Sequence, residues 1–150
     1  MTSIQIRSLN AADKESWFSL WRNYQSFYKV DLSEATSQTT WHRLLDEQEP
    51  MSGAVALAGG RTVGIVHFIQ HRSCWTTGDY LYLQDLFVVP ELRGKGVGRA
   101  LIDHVYAHAR ERECSRVYWL THETNHEAML LYDRIAERSG FLQYRKVFSK

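Results

Sequence analysis

Hydrophobic and polar residues alternate from Ile4 to Leu9, the period of a short strand, and Asn10 to Asp13 then offer N-cap chemistry to a helix running to about Tyr28. Within that helix Trp17, Trp21, Tyr24 and Tyr28 recur at i, i+4, i+7 and i+11, which gathers them into one aromatic stripe. Such a stripe is ordinarily core. A second helix is expected from Ser33 to Asp46. Gly53 to Ala58 and Arg61 to Gln70, joined by Gly59-Gly60, read as the two strands of a hairpin.

Tyr80 to Val89 carries the strongest strand pattern in the chain, stopped by Pro90 and a glycine-rich turn. Ala100, Leu101, Val105 and Ala109 then recur at helical spacing up to about Arg112, and Arg116 to Thr121 returns as a strand, giving a βαβ unit. The last third predicts a helix from about Glu127 to Arg138, a stop at Ser139-Gly140 and a strand from Phe141 to Phe148. The order β-α-α-β-β-β-α-β-α-β describes one α/β (α+β) domain over 1–150, with a mixed, mostly antiparallel sheet and helices on both faces.

Bulk properties narrow the function classes. A chain of 150 residues with 44% hydrophobic and 23% charged positions has the size and balance of an ordinary folded domain. Lys and Arg number 18 against 17 Asp and Glu, and a formal charge of +1 provides no global attraction to nucleic acid or an anionic membrane. Neither partner is expected, and any anion site must be local. No stretch approaches the roughly 20 apolar residues of a membrane helix. Two cysteines, Cys74 and Cys114, without a leader segment, point to reduced thiols and a cytoplasmic protein.

One segment carries recognisable chemistry. After the strand ending in Phe87-Val88-Val89-Pro90, the run Arg93-Gly94-Lys95-Gly96-Val97-Gly98-Arg99 opens a helix. Its three glycines clear side chains from the turn so that backbone N–H groups approach a ligand, and the helix adds the positive end of its dipole. Arg93, Lys95 and Arg99 add local positive charge, so a pyrophosphate suits the turn. A P-loop is excluded by spacing. The dinucleotide fingerprint is disfavoured, because Gly98 comes one position early and Arg99 stands where the third glycine belongs.

The spacing Arg-x-x-Gly-x-Gly, met by Arg93, Gly96 and Gly98, resembles the signature of the GNAT N-acetyltransferase superfamily. The likeness extends to Leu83-Gln-Asp-Leu-Phe-Val-Val-Pro90, to Tyr118-Trp-Leu-Thr-His-Glu-Thr-Asn125, and to Ala128-Met-Leu-Leu-Tyr132 followed by Ser139-Gly140-Phe141. Together these are similar to the subgroup containing histone and D-amino-acid N-acetyltransferases.

The resemblance implies acetyl-coenzyme A as donor. Its pyrophosphate would lie on the amides of Arg93, Gly94, Lys95, Gly96, Val97, Gly98 and Arg99, and its pantetheine arm beside the Leu86, Phe87 and Val88 backbone. The strands over 80–89 and 116–122 would splay at a bulge, with a backbone N–H of Phe87 or Val88 polarising the thioester carbonyl. Tyr132 takes the place of the family tyrosine that faces the sulfur, and so becomes the acid for the departing thiolate. Asn125 either caps the last helix or bonds the pantetheine. Asp85 and Glu123, with His122 nearby, are the alternatives for a base that deprotonates the amine, unless water does so. The aromatic stripe would wall the acceptor site, favouring an acceptor with an apolar portion, such as an amino acid or amine, and the acceptor expected is a small molecule such as an amino acid or polyamine. A protein or histone lysine, or a coenzyme A-binding module without turnover, are the alternative functions. A homodimer paired through the strand from Phe141 to Phe148 is also implied.

His104 with His108, and His122 with His126, are spaced four apart, yet the first pair lacks the glutamate of a zinc protease, and no metal is expected. Cys74 and Cys114 have no partner motif for nucleophilic chemistry.

Overall fold

In a computed structural model of the chain, residues 3–149 are described. The chain falls into two compact units, one ending at Leu120 and the other beginning at Thr121.

The first unit is built on five strands, β1 (Ile4–Ser8), β2 (Met51–Ala58), β3 (Arg61–His71), β4 (Tyr80–Val88) and β5 (Arg116–Tyr118), which lie side by side in chain order. The first three pairings are antiparallel and β4 with β5 is parallel, so the sheet is mixed and mostly antiparallel, as the pattern predicts. Helices α1 (Lys14–Phe27) and α2 (Glu34–Leu45) precede β2, and α3 (Val97–Glu111) makes the crossover from β4 to β5.

Alternation along β3 sorts the helices onto opposite faces. His67 meets Trp17 and Trp21 of α1, whereas Phe68 lies against His108 of α3, and a Cβ placed on Gly64 would come 3.1 Å from Leu101 of α3. That close approach is why a strand interior carries glycine at 64. The middles of β2 and β3 are buried on both faces because both faces are covered.

Local chemistry sets the helix ends. Asn10 and Asp13 form a capping box before α1, and Asp13 also receives both ends of the Arg7 guanidinium at 2.8 Å. At the other end Val30 N–H donates to Gln25 C=O and Lys29 N–H to Ser26 C=O, a Schellman motif with Lys29 at φ 55° in the position glycine usually takes. The Gln25 side chain then accepts from Leu32 N–H at 3.0 Å, tying down the chain between α1 and α2. Helix α3 closes in the same way, with Cys114 N–H on Ala109 C=O, Glu113 N–H on Arg110 C=O, and Glu113 at φ 57°.

The second unit holds one helix, α4 (His126–Ile135). Three expectations are corrected. Strand β5 stops at Tyr118 rather than Thr121, α4 stops at Ile135 rather than Arg138, and 141–148 form no strand. Alternation makes a segment compatible with a strand, but a strand exists only where a neighbour accepts its backbone bonds. The sheet ends at β5, and Phe141, Tyr144 and Phe148 are exposed.

Candidate functional site

The glycine-rich turn links β4 to α3 as expected. Gly94 and Gly96 have φ of 76° and 87°, a left-handed backbone that side-chain-bearing residues resist, while no atom would obstruct a Cβ at either position. The requirement is therefore conformational. Gly96 is the N-cap of α3, no side chain caps the helix, and its first turn holds no acidic residue. The opening amides of α3 receive no bond from an N-cap side chain, and an anion is the kind of group they suit.

The three basic residues of the turn do different work. Lys95 and Arg99 are exposed, and Arg99 lies 3.3 Å from Asp103 one turn along α3. Arg93 turns back toward β4 and α1: its Nε donates to Val88 C=O at 3.1 Å, and its guanidinium lies over the rings of Phe27 and Phe87.

Beyond Tyr82, β4 has no strand partner on its β5 side among the described residues, because β5 pairs only with 80–82. Val89 N–H bonds Val63 C=O, so in the antiparallel register Ile65 with Phe87 is also a hydrogen-bonded pair. Phe87 N–H accordingly faces β3, whereas Leu86 and Val88 direct their N–H and C=O groups to the open edge. Of the two expected carbonyl-polarising amides, Val88 is the one turned outward. A bulge is present, but in the pairing of β4 with β3: His67 faces Asp85 while Phe68 faces Leu83, which leaves Gln84 as the extra residue.

Next to the bulge, Asp85 sits in a hydrogen-bonded cluster. His67, 3% exposed, places Nδ1 2.9 Å from Asp85 Oδ2, and Trp17, fully buried, donates its indole N–H to His67 Nε2 at 2.9 Å. The Tyr24 hydroxyl lies within electrostatic reach of the Asp85 carboxylate. Burial foremost, then the Asp85 charge, push Tyr24 well above the ordinary tyrosine range. Tyr28 and Tyr82 are likewise raised, by burial first and then by the Asp85 charge. A cavity of ≈ 210 Å³ opens here between the strands and α2, bordered by Trp21, Leu44, Met51, His67, Gln84 and Asp85.

The aromatic stripe of α1 is thus graded. Trp17 and Trp21 stack in the core at 5.6 Å, Tyr24 is half-buried beside Asp85, and Tyr28 is 47% exposed. His67 and Gln84 are the members that sequence reasoning missed. A lone imidazole inside the apolar run Val63 to Ile69 is the signal that marks His67.

The remaining expected residues belong to the second unit. Tyr132 is half-buried within α4. Asn125 occupies the N-cap position, yet its side chain makes no capping bond. Glu123 is exposed in the turn before α4, where His122 Nδ1 bonds Thr124 Oγ1 at 2.7 Å.

Comparison with known proteins adds an independent line. Residues 15–136 match the model of the acetyltransferase (GNAT) family. The chain is 34% identical over 145 residues to the D-amino-acid N-acetyltransferase HPA3 of Saccharomyces cerevisiae, covering 95% of this chain and 90% of that protein. It is 25% identical over 135 residues to the thialysine N-epsilon-acetyltransferase of Caenorhabditis elegans, covering 90% of this chain and 83% of that one. Among solved structures, AAC(6')-Iy in complex with a bisubstrate analogue, CoA-S-monomethyl-acetylneamine, superimposes with a TM-score of 0.84 at 17% identity, covering 98% of this chain and 99% of that one.

Proposed function

The chain belongs to the acetyltransferase (GNAT) family, and from that premise we propose that it transfers the acetyl group of acetyl-coenzyme A to a primary amine of a small molecule, an amino acid or polyamine. The observation that carries this reading is the Arg93–Gly98 turn, which combines left-handed glycines with uncapped α3 amides at the end of the open β4 edge. These groups fit a coenzyme A pyrophosphate and the pantetheine amides that follow it. The coenzyme A-bearing analogue of AAC(6')-Iy supports the same donor. An acceptor with an amino-acid or lysine-like character is supported by the D-amino-acid and thialysine substrates in the relatives' names.

Acetyl-coenzyme A, when bound, supplies the acetyl group as a thioester. The chain's residues do the rest. Asp85 takes a proton from the acceptor amine, whose nitrogen must be neutral to attack, and Glu123 is the alternative base. Val88 N–H, turned to the open edge, donates to the carbonyl oxygen as charge develops on it. The new N–C bond replaces the C–S bond, and the departing thiolate receives its proton from the Tyr132 hydroxyl. Asn125, whose amide is not spent on capping, serves the pantetheine arm.

The family match runs across the Leu120 boundary, which supports reading the two units as parts of one domain. A cytoplasmic homodimer is the assembly we favour, paired otherwise than through 141–148, which form no strand. The two cysteines are free, in keeping with a reducing compartment, and no described helix is long and apolar enough to cross a membrane.

The test is thiol release from acetyl-coenzyme A against D- and L-amino acids, polyamines, aminoglycosides and histone-tail peptides, with Tyr132→Phe alongside. Turnover with a free amino acid or polyamine, lost by about tenfold or more in the variant while acetyl-coenzyme A binding is kept, is the expected result. Turnover restricted to the histone peptides would move the acceptor to a protein. Coenzyme A binding without turnover on any acceptor would leave a binding module.

A further inference from the structure

The buried imidazole beside Asp85 has a determined orientation. An indole N–H only donates, so His67 Nε2, 2.9 Å from Trp17 Nε1, must be the accepting, unprotonated nitrogen. In the neutral ring the proton then sits on Nδ1, which faces Asp85 Oδ2 at 2.9 Å and donates to it. The opposite tautomer would set two N–H groups against each other at Nε2 and two lone pairs against each other at Asp85. A tryptophan in α1 thus dictates which atom of a β3 histidine points at a β4 carboxylate.

We infer that His67 is a positioning residue for acetyl transfer: locked in its Nδ1–H tautomer by Trp17, it fixes the Asp85 carboxylate at the cavity so that the acceptor amine meets it in one orientation.

The inference rests on the reading of Asp85 as the group that meets the amine. Asp85 follows directly on the bulged residue Gln84, where ladder bonds no longer define the backbone as tightly, so its side chain needs an external constraint. His67 Nδ1–H from β3 provides it at 2.9 Å, while the Asp85 side chain, 16% accessible, keeps an open part for the acceptor. Tyr28 and Tyr82 lie within electrostatic reach of the same carboxylate. Because both Trp17 and His67 are buried, solvent does not compete for either bond.

Asparagine and glutamine substitutions separate this role from mere packing. In His67→Asn the shorter side chain would place its amide near the position of Nδ1 and keep a donor for Asp85, whereas in His67→Gln the longer one would reach the position of Nε2 and satisfy only Trp17. The full-length chain is assayed as wild type, His67→Asn, His67→Gln and Asp85→Ala, with acetyl-coenzyme A binding measured on each. We expect His67→Gln to lower kcat at least about tenfold with the KM for acetyl-coenzyme A within about twofold of wild type, and His67→Asn to recover most of the loss.

Long-range 1H–15N correlation on the wild-type imidazole provides a measurement that no folding failure can obscure: the expected signature is a protonated Nδ1 and an unprotonated Nε2. A protonated Nε2 in the neutral ring overturns the inference, as does a fully active His67→Gln beside an impaired Asp85→Ala. If Asp85→Ala is itself fully active, the assignment of Asp85 fails first, and the inference fails with it.

Discussion

Arg93 donates its Nε–H to the carbonyl of Val88 at 3.1 Å, so the first residue of the glycine turn is fastened to the strand edge it follows. Its guanidinium also bridges the rings of Phe27 on α1 and Phe87 on β4. An arginine read from spacing as a phosphate contact is thus a brace that sets the turn against two other elements.

Arg93→Ala should therefore lower stability by about 1 kcal/mol through the lost cation–π contacts and hydrogen bond. It should also raise the KM for acetyl-coenzyme A severalfold. Arg93→Lys keeps the charge but not the planar fork or its stacking. A lysine variant indistinguishable from wild type in melting temperature and KM would show that charge alone matters there.

Gly96→Ala tests the turn without adding a clash. Nothing lies within 4 Å of the added Cβ, so the whole cost is that of holding alanine at φ 87°, about 1–2 kcal/mol. Relaxation of that strain would move the amides at the start of α3, and a weaker affinity for coenzyme A by calorimetry is expected. Unchanged affinity together with unchanged stability would contradict the conformational requirement.

Asp13 provides the acid limb of stability. The Arg7 hydrogen bonds foremost, against a smaller opposing effect of burial, hold its carboxyl below the usual range. The stabilisation is complete above the unfolded carboxylate value of about 3.9 and disappears as the pH falls through the lower folded value. Asp13→Asn should cost about 1 kcal/mol at pH 7, and chemical denaturation should show the gap to wild type narrowing toward pH 3. A gap independent of pH would mean that the ionised pair is not its source.

Glu113→Gly should stabilise the chain. Glu113 holds φ 57° in the Schellman motif that ends α3, is exposed, and would be replaced by the residue that adopts this backbone without steric cost. A gain of up to about 1 kcal/mol is expected in a thermal melt, less than the full left-handed penalty because glycine also loosens the unfolded chain. A lower melting temperature would show that the Glu113 side chain contributes more than its backbone costs.

Much of this fold is legible in the sequence because its signals are local. The alternation of Ile4 to Leu9, the Gly59-Gly60 hairpin, the Pro90 stop and the helical spacing of Leu101, Val105 and Ala109 each depend on neighbours within a turn or two. Phe141 to Phe148 has the local pattern of a strand but forms none, since pairing depends on a distant edge that composition does not encode. The bulge at Gln84 is invisible for the same reason, being a mismatch between two strands rather than a property of one. The anion turn is readable down to its glycines. The direction of the Arg93 side chain is not, because it depends on Phe27, sixty-six positions earlier, lying across the turn. His67 gains its meaning only once β3, β4 and α1 meet.

The link between α1 and α2 has a kinetic corollary. Lys29 and Val30 are stitched to the helix they leave, and Leu32, which borders the cavity, hangs from the amide of Gln25. A rim bonded at Lys29, Val30 and Leu32 has the build of a fixed aperture rather than a flap on this side of the cavity. On the proposed function, acceptors entering here would be sorted by size and shape on arrival, with capture governed by diffusion and fit rather than by the closing of a lid.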